Sequence, residues 1–143
     1  MLVDTRGSLL SVKVQAANVQ DRDGAKVLLR AAREKLPRLV IVWADRAYKG
    51  GWGRKKQLRK LDEWVWDELG CLLEVVERPK DEGGTVKGFV PLPKRWVVER
   101  TFAWLNRYRR LSKDYEFHHR SSEAMIYLAS AHILLRRLCA HHA

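Results

Sequence analysis

A chain of 143 residues has room for one domain with a core of its own, and one domain is expected. Its 46% hydrophobic and 31% charged residues describe a globular chain and exclude a disordered one. Lys and Arg number 28 against 17 acids, and the net charge of +11 points to a polyanion, nucleic acid first, while an apolar run no longer than Leu39 to Ala44 excludes a membrane span of ~18 to 20 residues.

Met1-Leu2-Val3-Asp4 has no basic segment followed by an apolar one, so no secretory signal is read and the cytoplasm is the expected compartment. Leu2 to Thr5 and Leu9 to Val14 read as two strands joined by a turn containing Gly7. Asp21 or Asp23 is placed to cap a helix whose apolar positions Ala25, Leu28, Leu29 and Ala32 recur at helical spacing, and Pro37 ends it. Leu39-Val40-Ile41-Val42-Trp43-Ala44 is continuous in its hydrophobicity and rich in β-branched residues, which predicts a strand buried on both faces of a parallel sheet. After the glycine-rich Gly50 to Gly53, Arg54 to Leu69 reads as a helix with the apolar stripe Leu58, Leu61, Val65 and Leu69, stopped by Gly70. Cys71 to Val76 is a further strand, and Pro79 to Pro93 a loop with residual strand character at Gly88-Phe89-Val90. Lys94 to about Lys113 is amphipathic and helical, and Ser121 or Ser122 opens a last helix, Glu123 to Leu138. The two cysteines, Cys71 and Cys139, match no metal or redox spacing and read as free thiols.

This order predicts an α/β fold, a mixed sheet covered by helices. One strand is lacking from it. A buried parallel strand needs a neighbour on each side, and only the first hairpin and Cys71 to Val76 are present to supply them.

Asp45 stands at the C-terminal end of the predicted buried strand, where α/β sheets gather ligands and metals. From position alone it reads equally as a ligand or base and as a turn-forming residue of Ala44-Asp45-Arg46-Ala47-Tyr48. Glu99 lies on the amphipathic helix, where at ~100° per residue Arg95, Glu99, Asn106 and Arg110 fall within about 40° of one line beside the apolar face Val98, Phe102, Leu105 and Tyr108. By itself such a Glu reads as a surface ion-pair partner of the arginines around it.

Together, Trp43-Ala44-Asp45-Arg46-Ala47-Tyr48 and Arg95-Trp96-Val97-Val98-Glu99-Arg100-Thr101-Phe102 resemble two signatures of bacterial insertion-sequence DDE transposases of superfamily four/five. In that family a buried strand ends in the second catalytic Asp, followed by Lys or Arg, a small residue and Tyr. The last catalytic Glu lies on a helix four residues after an Arg. Asp45 and Glu99 match those positions, and Leu2-Val3-Asp4-Thr5 with Gly7, and Ala17-Asn18-Val19-Gln20-Asp21, are similar to the stretch before the second Asp. The family's Tyr before the Arg and Lys after the Glu are here Leu92 and Asn106.

The resemblance implies a ribonuclease-H-like mixed sheet flanked by helices, incomplete at the N-terminus. The family's first catalytic Asp lies on a strand upstream of the segment where this sequence begins. Asp4 aligns with a later strand and is expected to face the turn, and Asp21 and Asp23 read as caps. The implied cofactor is Mg²⁺ or Mn²⁺, held by three carboxylates and weakly by two. Asp45 and Glu99 are its expected ligands here. The implied activity is DNA cleavage and strand transfer in transposition, with negligible cleavage by this chain alone. Its partners are double-stranded DNA, as transposon ends and target, and an upstream-frame product or full-length transposase. Two origins stay open, a frameshifted product and a degenerate remnant.

For DNA contact the basic residues Arg54, Lys55 and Lys56 on one helix and Arg95, Arg100, Arg107 and Arg110 on another are the expected phosphate ligands. Trp52, between Gly51 and Gly53, is a candidate for stacking on a base, while Trp64 and Trp66 are expected in the core. Two other readings use the same residues: a non-catalytic basic DNA-binding module that partners full-length transposase, and a metal-dependent nuclease of the same fold.

Overall fold

The computed structural model describes residues 1–48, 60–76, 80–81, 84–85, 94 and 96–140. In chain order they form β1 (Leu2–Val3), β2 (Leu9–Ser11), α1 (Asp21–Lys35), β3 (Ile41–Ala44), α2 (Leu61–Leu69), β4 (Leu72–Val75), β5 (Lys80–Asp81), β6 (Gly84–Thr85), α3 (Trp96–Leu105) and α4 (His119–Ala140). The fold is mixed α/β, and the described strands pair as three two-stranded sheets rather than one sheet. Contacts divide the chain into two compact units, Met1–Ala32 with Val97–Ala143, and Arg33–Trp96.

In the first unit β1 and β2 are antiparallel, with Leu2 opposite Ser11 and Val3 opposite Leu9 across a bulge. Their turn is built by Asp4, whose Oδ1 accepts from the backbone N–H of Arg6 at 2.9 Å and of Ser8 at 2.7 Å. Gly7 takes φ +81°, a conformation a side chain resists. The strands are shorter than predicted, because beyond Ser11 the backbone takes its partners from α4 instead of a ladder. Val12 N donates to the Tyr127 hydroxyl at 3.2 Å and Val14 N to Glu123 Oε1 at 3.0 Å.

Helix α1 starts at Asp21, since the Gln20 carbonyl already accepts from the N–H of Asp23 and Gly24. Asp21 and Asp23 thus occupy its first turn, where the helix dipole favours acids, rather than preceding it. Helix α3 ends at Leu105, well short of Lys113, because Tyr108 takes an extended backbone (φ −88°, ψ 117°) before a single 3-10 turn at Arg109–Leu111. That break carries the Tyr108 hydroxyl to within 2.8 Å of His132 Nδ1 on α4. The buried face of α3 is Val97, Thr101 and Leu105, whereas Phe102, expected inside, is 50% exposed. Helix α4 begins at His119, before both expected caps, with the N–H groups of Ser121 and Ser122 already donating to the His118 carbonyl.

In the second unit β3 and β4 are parallel, Ile41 opposite Leu72 through Ala44 opposite Val75. Hydrogen bonds from Leu72 N to Val40 O and from Val76 N to Ala44 O, both 2.8 Å, extend the ladder at either end. Only Val42 of β3 is fully buried, so the strand is half covered rather than enclosed on both faces. Leu61, Trp64, Val65 and Leu69 form the core side of α2, and Gly70 closes it in the left-handed conformation (φ 60°), donating to the Trp66 carbonyl. Trp66, expected in the core, is 59% exposed, on the opposite side of the helix from Trp64. The described helix opens at Leu61 because Lys60 is extended (φ −63°, ψ 151°). Within the expected loop, β5 and β6 pair as a small antiparallel hairpin. The expected strand character at Gly88-Phe89-Val90 lies outside the described residues.

Candidate active site and nucleic-acid surface

Asp45 follows the last residue of β3 and heads a 3-10 turn, Arg46–Tyr48. Its Oδ1 accepts from Ala47 N at 2.9 Å, and its carbonyl accepts from Tyr48 N at 3.1 Å. The turn-forming role and a ligand role are therefore compatible, since the turn engages one carboxylate oxygen and fixes the direction of the other. Two positions earlier, the Trp43 indole donates to Glu74 Oε2 on β4 at 2.7 Å, and the Lys94 ammonium sits 3.6 Å from the centre of the same ring. A bonded edge and a covered face hold the strand end from which Asp45 projects. Nothing in the spacing of the sequence announces this support, because Glu74 and Lys94 come from distant segments.

Glu99 lies in the first turn of α3 and is exposed, between the buried Val97 and Thr101. It belongs to the first unit and Asp45 to the second. Asp4 is engaged by its turn, and Asp21 and Asp23 lie exposed in the first turn of α1, with Asp23 3.5 Å from Lys26. Carboxylates are the right donors for a hard divalent ion. Among the described residues, however, no three His, Cys, Asp or Glu side chains are grouped to hold a metal.

Of the basic residues singled out, Arg54, Lys55, Lys56 and Arg95 lie outside the described residues, as does Trp52. Arg100 donates from Nη2 to the Arg6 carbonyl at 2.8 Å and packs 4.8 Å from the Trp104 ring, which Arg137 approaches at 4.1 Å. Arg107 is exposed. Arg110, also exposed, bonds Glu116, and that bond and the carboxylate's charge raise its pKa above the ordinary arginine value, so it stays cationic. The expected polar stripe is interrupted, because Asn106 and Arg110 fall beyond the end of α3. No described helix is long and apolar enough to cross a membrane.

The profile of the Transposase DDE domain matches residues 1–134. No curated protein and no solved structure gives a significant match. The matched region contains Asp45 at its strand end and Glu99 on its helix, and the chain belongs to the DDE transposase family of insertion sequences.

Proposed function

We propose that the chain is part of the catalytic domain of an insertion-sequence transposase of superfamily four/five, that Asp45 and Glu99 are two of its three metal-binding carboxylates, and that its basic surface holds double-stranded DNA. The observation that carries this reading is the placement of Asp45 directly after β3, within a family match over residues 1–134. The ribonuclease-H-like sheet belongs to the proposal too. A further strand beside β3 would complete it and bring the third acid.

Within this reading the N–H of Ala47 keeps the Asp45 carboxylate in one orientation, and Glu99 extends from α3 toward solvent. Arg107 and the lysines and arginines around it neutralise phosphates and set the DNA's position without reading its sequence. Asp45 and Glu99 would supply carboxylate oxygens to Mg²⁺ or Mn²⁺, and the ion would supply water activation and charge stabilisation at the phosphate oxygens.

The test is binding of a labelled duplex across a salt series, with Mg²⁺ absent. The affinity is expected to fall linearly on logarithmic axes, with Arg107→Ala weakening binding for every sequence and reducing the slope by about 1. Asp45→Ala and Glu99→Ala are expected to bind as the parent does. Failure of the parent chain to bind duplex at low salt would overturn the proposal.

A further inference from the structure

Phe117 is 93% exposed, the most exposed of the large hydrophobic side chains among the described residues, and Tyr115 is 60% exposed. Both lie in the segment between the Arg109–Leu111 turn and α4, entirely within the first unit. The segment is tied down rather than loose. Asp114 Oδ1 accepts from the N–H of Glu116 at 3.2 Å and from the Ser122 hydroxyl of α4 at 2.9 Å, and Glu116 is ion-paired to Arg110. Ser112 adds a bond from its hydroxyl to the Arg109 carbonyl at 2.8 Å. Between the two rings Glu116 is half-buried, so the aromatic side chains stand out on either side of a residue that turns inward. The Phe117 ring meets the His118 ring edge to face at 4.9 Å, leaving a face open to solvent.

The charge around the two rings selects among partners. Residues 107–120 carry five Lys or Arg, namely Arg107, Arg109, Arg110, Lys113 and Arg120, all exposed. Both acids of that stretch, Asp114 and Glu116, are engaged by the internal bonds just described. Cations flanking exposed rings are the combination that holds a nucleic-acid strand, phosphates on the cations and bases on the rings. A fully paired duplex keeps its bases stacked and offers the rings nothing. We infer that Tyr115 and Phe117 form a stacking platform for unpaired bases of single-stranded DNA. This rests on the reading of the chain as DNA-binding, and adds that the surface distinguishes unpaired from paired DNA.

The probes are a fluorescein-labelled oligothymidylate of about 12 nucleotides and a blunt duplex of the same length, bound to the 143-residue chain at fixed low salt. Phe117→Ala, and Tyr115→Ala with it, are expected to weaken oligothymidylate binding about tenfold or more and to leave duplex binding unchanged. Phe117→Trp is expected to retain the affinity, since a larger ring stacks at least as well. Both positions are exposed, so the variants should keep the parent's circular dichroism. Unchanged oligothymidylate binding in the double alanine variant would overturn the inference, as would an equal loss on both probes. Binding of duplex but not oligothymidylate by the parent chain would overturn this inference alone. Binding of neither probe would overturn the DNA-binding proposal with it.

Discussion

The hydroxyl of Thr101 donates to the carbonyl of Gly7 at 2.8 Å, joining residues 94 positions apart. Arg100, the next position on α3, donates to the neighbouring Arg6 carbonyl, so two consecutive side chains clasp the β1–β2 turn to the helix that bears Glu99. Thr101 is only 2% exposed, so a lost partner there is not replaced by water. Thr101→Val is expected to destabilise the chain by about 1–3 kcal/mol, and Thr101→Ser by much less. A shift of the urea midpoint with an unchanged slope checks this.

Gly7 answers from the other side of the same clasp. It has φ +81°, and a Cβ placed on it would lie 2.9 Å from Thr101 Oγ1 and 3.0 Å from a carbon of the Trp104 ring. Gly7→Ala is therefore expected to cost more than about 1 kcal/mol, through both backbone strain and the collision. Thermal unfolding measures it, and a variant as stable as the parent would show that the turn moves away from α3 without cost.

The two thiols should behave differently. Cys71 is 1% exposed while Cys139 is exposed, so one thiol is expected to react quickly with an aromatic disulfide reagent and the other only on unfolding. Burial raises the Cys71 pKa above its ordinary 9.0, opposed by the nearby charge of Arg33. The folded state thus holds this proton more tightly than the unfolded one. Its contribution to stability is complete below pH 9.0 and is lost as the pH rises through the higher folded value. The fall in stability on the alkaline side should be shallower in Cys71→Ala than in the parent.

What could be read from the sequence follows the range of each signal. Gly70 as a helix stop, the stripe Leu61, Val65 and Leu69, and the strand ending at Ala44 are local patterns, and all three are present. The break after α3 was invisible, because apolar residues three apart continue through a 3-10 turn as they do through an α-helix. Phe102 was expected inside and is exposed, while α3 buries Thr101, whose hydroxyl finds the Gly7 carbonyl from across the chain and the Val97 carbonyl one turn back. The strand after Leu9 was read too long because Tyr127 and Glu123 take over its backbone bonds from across the chain. For the candidate site, the residue types and their order around Asp45 and Glu99 carried the family, which the profile match bears out. The Ala47 N–H on Asp45 and the pairing of Trp43 with Glu74 and Lys94 depend on the folded turn and the strand register, which no spacing displays.

The most direct measurement is nicking of supercoiled plasmid by the purified chain in Mg²⁺, with Asp45→Ala and Glu99→Ala beside it. On the proposed reading, in which Asp45 and Glu99 are two of three metal-binding carboxylates, the expected result is binding without nicking above the level of the two variants, since two carboxylates would leave a divalent ion most of its waters and hold it weakly. Mg²⁺-dependent nicking that disappears in both variants would contradict this, and would mean that these residues complete a working metal site.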